Sequence, residues 1–179
     1  IKLDGRPLEA ILKELQGQKV LIFSYFATTV DYLKEKLDEN FLAQISLTKE
    51  EIAFLKSKNG KEKSNYVQRF APVAQRQEVL EGKVNGKIPL QILCSTDVLS
   101  EGQNLQDCGI IINYDLHWNP VKMIQRNGRI NRLGSSFSEV KIHNFRPEAQ
   151  LDKFLKLLIK LQQKIRIIGG SVGIDSSIL

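Results

Sequence analysis

Cysteine is scarce in this chain, at two residues among 179, and Cys94 and Cys108 have neither a metal-site spacing nor the pattern of a disulfide framework. Cys94 lies in an apolar run and reads as a small buried hydrophobe, so the expected compartment is reducing and cytoplasmic. Histidine is equally rare, and His117 and His143 lack a partner spacing that would suggest a metal. No run of 18 or more apolar residues occurs, and no membrane span is expected. No charged-then-apolar leader is visible. The chain opens on Ile1 rather than Met and is expected to be cut from something longer.

Several catalytic signatures are missing as well. There is no GxxxxGK[ST] phosphate loop: "GKVNGKIP" (82–89) is one residue short, with Ile88 where a hydroxyl would reach magnesium. "GGSVG" (169–173) follows an expected helix instead of opening one, which excludes a dinucleotide fingerprint. HExxH and GxSxG are absent. The chain therefore has no recognisable means of holding Mg-ATP by itself.

What is present is an ordinary globular composition, with 42% apolar and 26% charged residues, at a length suited to one domain. The net charge of +6 is concentrated. Residues 56–76, "KSKNGKEKSNYVQRFAPVAQR", hold six bases against one acid, while the first 55 residues hold seven against nine. This stretch, with Tyr66 and Phe70 inside it, suits a polyanion and reads as a basic insertion or arm over about 46–76; a solvated loop is the plainer alternative.

Leu8, Ile11, Leu12 and Leu15 have helical spacing, and Gly17 ends that helix. "KVLIFSYF" (19–26), "LQILCST" (90–96) and "GIIINYD" (109–115) are short apolar runs typical of strands buried on both faces. "QISLT" (44–48) is a further candidate strand, and "EVKIHNF" (139–145) an edge-like one. Helices are expected after Thr28 or Thr29, from Pro120, and over 148–165. Strands alternating with helices predict an α/β fold, a mainly parallel central sheet covered on both sides. Ligands of such sheets gather at the carboxyl ends of strands, where Ser24, Ser95-Thr96-Asp97 and Tyr114-Asp115 fall.

Arg126, Arg129 and Arg132 recur at intervals of three in "IQRNGRINRLG" (124–134). In a continuous helix each step advances by about 300°, which keeps all three within a sector of roughly 120°. Their forks suit phosphate oxygens, and Gly128 removes a side chain beside Arg129. Salt bridging on a surface helix would satisfy the same pattern.

"STDVLSEGQNLQ" (95–106), "INYDLHWNP" (112–120) and "QRNGRINRLG" (125–134) follow in an order and spacing that resembles the carboxy-terminal RecA-like lobe of superfamily 2 helicases and translocases. "WNP", "EGQNLQ" and "KVLIFSYFATTVDYLKEKL" make it most similar to the Swi/Snf-related branch, including bacterial RNA-polymerase-recycling ATPases. The resemblance implies a three-layer RecA-like domain spanning 1–179. It implies a second motor lobe working with ATP and Mg2+ held mainly by an amino-terminal RecA-like lobe of the same parent chain. By position, Arg129 and Arg132 would be arginine fingers on the γ-phosphate. Gly102 and Asn104 would lie near the ribose, with Gln125 and Arg126 supporting the cleft or coupling it to the 95–106 segment. Ser24, Tyr25 and Thr96 would meet nucleic acid, expected to be duplex DNA, with Lys58, Lys61 and Lys63 as candidate phosphate contacts of the basic arm. Ser135 and His117 depart from the family pattern. A catalytically inactive RecA-like binding or assembly module and an unrelated doubly wound enzyme are the competing readings.

Overall fold

The structure, a computed structural model, describes residues 6–56, 60–100, 102–117, 119–131, 135, 137–145, 160, 163 and 164. Its frame is built from four-residue strands, the three central ones buried on both faces. The strands are β1 (Val20–Phe23), β2 (Ile52–Leu55), β5 (Ile92–Ser95), β6 (Ile110–Asn113) and the edge strand β7 (Lys141–Asn144). They pair in the order β2-β5-β1-β6-β7, all parallel, with Val20 opposite Ile92 on one side and Ile110 on the other. A small separate hairpin, β3 (Val79–Leu80) with β4 (Lys83–Val84), lies between β2 and β5 in the chain.

Alternation along the strands divides the core in two. Val20, Ile22, Ile92, Cys94, Ile110 and Ile112 face α1 (Leu8–Glu14), α2 (Ala27–Lys36) and α3 (Glu39–Gln44), which contribute Ile11, Leu12, Val30, Leu33, Phe41 and Leu42. Leu21, Phe23, Ala53, Leu55, Leu93 and Ile111 face the other way, toward Val67 and Phe70 of α4 (Gly60–Phe70) and toward Leu99, Leu105 and Ile130. The result is the three-layer arrangement expected of a parallel sheet, with the central strands covered on both faces.

Three local expectations are corrected. Residues 44–48 are not a strand: Gln44 ends α3, Ile45 caps it while buried in the core, and Ser46 adopts a left-handed φ of 58°. The strand comes later, at Ile52–Leu55, introduced by a Thr48–Glu51 capping box. It follows that 46–76 is not an arm appended to the domain, because it supplies an edge strand of the sheet and a helix that closes one face. The third correction concerns α5 (Pro120–Asn127), which starts at Pro120 under an Asn119 cap but stops at Gly128. Arg129 lies in the turn beyond it, so Arg126 and Arg129 do not sit on one continuous helix. Arg132, Lys58 and nearly all of the expected 148–165 helix lie outside the described residues.

Candidate functional site

The carboxyl ends of β1 and β6 meet at the point where the chain changes direction across the sheet. β1 leads toward the β2 side and β5 leads to the β6 side, and such a switch point leaves a crevice. Asp115, just past β6, joins the two ends. Its carboxylate accepts from the Ser24 hydroxyl at 2.5 Å and from the Tyr25 N–H at 2.7 Å. Ser24 is 1% exposed, and its hydroxyl holds the end of β1 to Asp115.

Arg126 sits beneath this junction without exposed surface. Its Nε and Nη2 donate to the two oxygens of Asp97 at 2.6 and 3.1 Å, a fork-to-fork pairing. Its Nη1 donates to the Asp115 carbonyl at 3.1 Å, and Nη2 lies 3.7 Å from the Asp115 carboxylate. The guanidinium also lies 5.4 Å from the Phe23 ring centroid. Arg126 is thus a hub tying α5 to the ends of β1, β5 and β6.

On one side of the hub lies an open depression of about 520 Å³, lined by Tyr25, Lys56, Lys63, Thr96, Asp97, Val98 and Lys122. Thr96 is placed by its N–H donating to the Leu55 carbonyl at 3.0 Å. Lys56 pairs with Asp31 at 2.5 Å, and the Lys63 ammonium donates to the Val98 carbonyl at 2.7 Å. Behind Tyr25, His117 meets its ring edge-on at 4.6 Å and accepts the Asn119 N–H on Nδ1 at 2.8 Å. Burial lowers the pKa of His117 against the opposing pull of Asp97, which favours the neutral imidazole. Of the residues expected at nucleic acid, Tyr25, Thr96 and Lys63 come together here, whereas exposed Lys61 lies outside the lining. Lys56 and Lys122 were not singled out from sequence; each is one lysine beside a strand or helix end, recognisable only once the sheet order is known.

On the other side, Arg129 is half-buried at the rim. Its Nε donates to the Gln125 carbonyl and its Nη1 to the Gln103 carbonyl, both at 3.1 Å, while its own carbonyl accepts the Leu105 N–H at 3.1 Å. Those links bring the 102–105 loop against the end of α5. Gly102 has a φ of 79° with open space where a side chain would stand, so here the backbone conformation itself calls for glycine. The side-chain oxygens of Asn104 and Gln125 are buried without a hydrogen-bond partner, an arrangement that costs stability unless something else supplies a donor. Gly102, Asn104, Gln125 and Arg129 thus gather around the 102–105 loop and the end of α5.

Comparison with known proteins agrees with this geometry. The sequence model described as helicase conserved C-terminal domain matches residues 6–134. The uncharacterized ATP-dependent helicase YqhH of Bacillus subtilis (strain 168) is 30% identical over 155 residues, 87% of this chain and 23% of YqhH. The DNA repair protein RAD5 of Eremothecium gossypii is 28% identical over 168 residues, 92% of this chain and 14% of RAD5. The chain therefore spans a quarter or less of the length of these relatives. The solved C-terminal part of the Fun30 ATPase domain superposes with a TM-score of 0.57 at 19% identity, covering 84% of this chain and 43% of that one, a likeness of fold. No helix among the described residues is long and apolar enough to cross a membrane. The chain belongs to the helicase conserved C-terminal domain family of superfamily 2, with the RecA-like fold of that lobe.

Proposed function

We propose that this chain is the second motor lobe of an ATP-dependent DNA translocase or helicase. In this role it supplies arginine fingers to a nucleotide held by a preceding lobe and forms half of a strand-binding track. The observation that carries the reading is the buried Arg126 hub. Asp97 follows Thr96 at the basic depression, and Arg126 joins Asp97 to the helix that leads into the turn carrying Arg129. The strand-facing and nucleotide-facing sides are thereby ends of one connected unit.

The chemistry follows from the positions. Arg129, and Arg132 outside the described residues, would approach the γ-phosphate of ATP, whose Mg2+ the other lobe would mainly hold. An arginine finger supplied across a cleft is worth ~10³–10⁵ in rate, or about 4–7 kcal/mol of barrier. Gly102, Asn104 and Gln125 would line the nucleotide side, where unpaired amide oxygens await donors. Movement of Arg129 toward phosphate would pull on its Gln103 and Leu105 links and shift the loop that begins at Thr96. Thr96, Lys56, Lys63 and Lys122 would grip the sugar–phosphate backbone, so binding would be nearly independent of sequence. RAD5 is by its name a DNA repair protein, which supports DNA, expected here as duplex; RNA helicases are also among the relatives.

The deciding experiment replaces Arg129 by Ala in the intact parent protein and measures ATP turnover with and without DNA. DNA-stimulated turnover should disappear while DNA binding persists. Undiminished turnover removes the finger role, and stimulation by RNA but not by DNA overturns the choice of strand.

A further inference from the structure

We propose that Tyr25 and Phe26 form a stacking ledge for one unpaired base of the bound DNA strand, an inference that rests on the strand-track reading above. Both aromatic rings are held in place yet left in solvent. Tyr25 is 46% and Phe26 56% exposed, although they directly follow a strand whose residues are wholly buried. The Tyr25 N–H is fixed by Asp115, and its ring meets Phe26 edge-on at 5.0 Å and His117 edge-on at 4.6 Å. The Phe26 carbonyl accepts from Thr29 and Val30 at 3.1 and 3.3 Å, which sets the start of α2 while the ring takes no part in the core.

Location turns exposure into function. Tyr25 lines the same depression as Thr96, Lys56, Lys63 and Lys122. Phe26 does not line the depression itself but extends the ledge beside it, its ring centroid 5.0 Å from that of Tyr25. A phosphate track beside aromatic rings is the arrangement that holds single strands, because cations follow the backbone and every base offers a π-face. In an intact duplex the bases are already stacked on one another, so the ledge adds nothing there. The ledge therefore selects DNA whose tracked strand has an unpaired nucleotide, over DNA that is fully paired.

The test titrates the full chain into an oligonucleotide carrying one 2-aminopurine, as a single strand and in a perfect duplex of the same sequence. Single-strand binding should quench the fluorophore. In a Tyr25→Leu, Phe26→Leu double variant the quenching should vanish and single-strand affinity should fall by about 10-fold or more. Duplex affinity should fall by clearly less than single-strand affinity, and the salt slope of both should be unchanged, since no phosphate contact is lost. Folding is not at risk because both side chains are exposed, and a Tyr25→Trp, Phe26→Trp variant should restore the quenching. Quenching that survives in the leucine variant overturns the ledge, as does an equal loss of affinity for both substrates, the result expected if these rings instead dock against the neighbouring lobe. Wild-type chain that binds neither substrate overturns the strand track itself.

Discussion

At the scale of single residues, two arginines three positions apart have opposite dependencies. Arg126 is wholly buried against Asp97, and removing one partner of such a pair leaves an uncompensated buried charge. Arg126→Ala should cost about 3–5 kcal/mol of unfolding free energy, read from urea denaturation. Arg129 donates to two carbonyls at a half-buried rim, so Arg129→Ala should cost no more than about 1–2 kcal/mol while abolishing turnover in the parent. An Arg129 variant as unstable as the Arg126 one would make both residues structural. The cysteines allow a simpler check. Burial pushes the Cys108 thiol up to about 12 and Cys94 higher still, and both side chains are fully enclosed. Neither should react with a thiol reagent at pH 8 until the chain is unfolded, when both should react.

At the scale of elements, what was legible in the sequence was whatever a strand or helix declares by itself. β1, β5 and β6 announce themselves as apolar runs because both of their faces are covered. β2 did not, since four residues beside a lysine-rich stretch carry too little periodicity, and Ile45 and Leu47 nearby mimic a strand while serving a helix end. The paired partners of Arg126 were equally hidden. Asp97 and Asp115 lie 29 and 11 residues away, and only sheet order brings them to one point. His117 belongs to this concealed class, packed between the Tyr25 ring and α5 with Asp97, Arg126 and Lys122 around it. Its depressed pKa means that the unfolded chain binds a proton first as pH falls below about 6.5. Stability from this group is fully present above that value and is lost as pH falls through the lower folded pKa. His117→Gln should therefore flatten part of the acid limb of a stability–pH curve below about pH 6.5. An unchanged limb would mean that the ring is protonated in place.

At the scale of the whole molecule, three lysines converge on one depression while Arg129 lies at a separate rim. The depression gathers lysines from three separate places, Lys56 after β2, Lys63 on α4 and Lys122 on α5, which no single segment of the chain displays. If each releases a counterion on binding duplex DNA, removing all three should reduce the slope of log K against log salt by about 2–3. Lys61, exposed on the same helix as Lys63 but outside the depression, is the matched control, and Lys61→Gln should leave the slope nearly unchanged. Equal effects from Lys61 and Lys63 would show that general charge rather than a defined track attracts the polyanion. The other half of the argument concerns ATP. Arg129 reaches only toward a rim, and the chain carries no phosphate loop, so the 179-residue protein alone should hydrolyse no ATP at any DNA concentration. Addition of the preceding lobe in trans should restore DNA-dependent turnover only with Arg129 intact. Turnover by this chain alone would place a complete site within it and overturn the two-lobe arrangement.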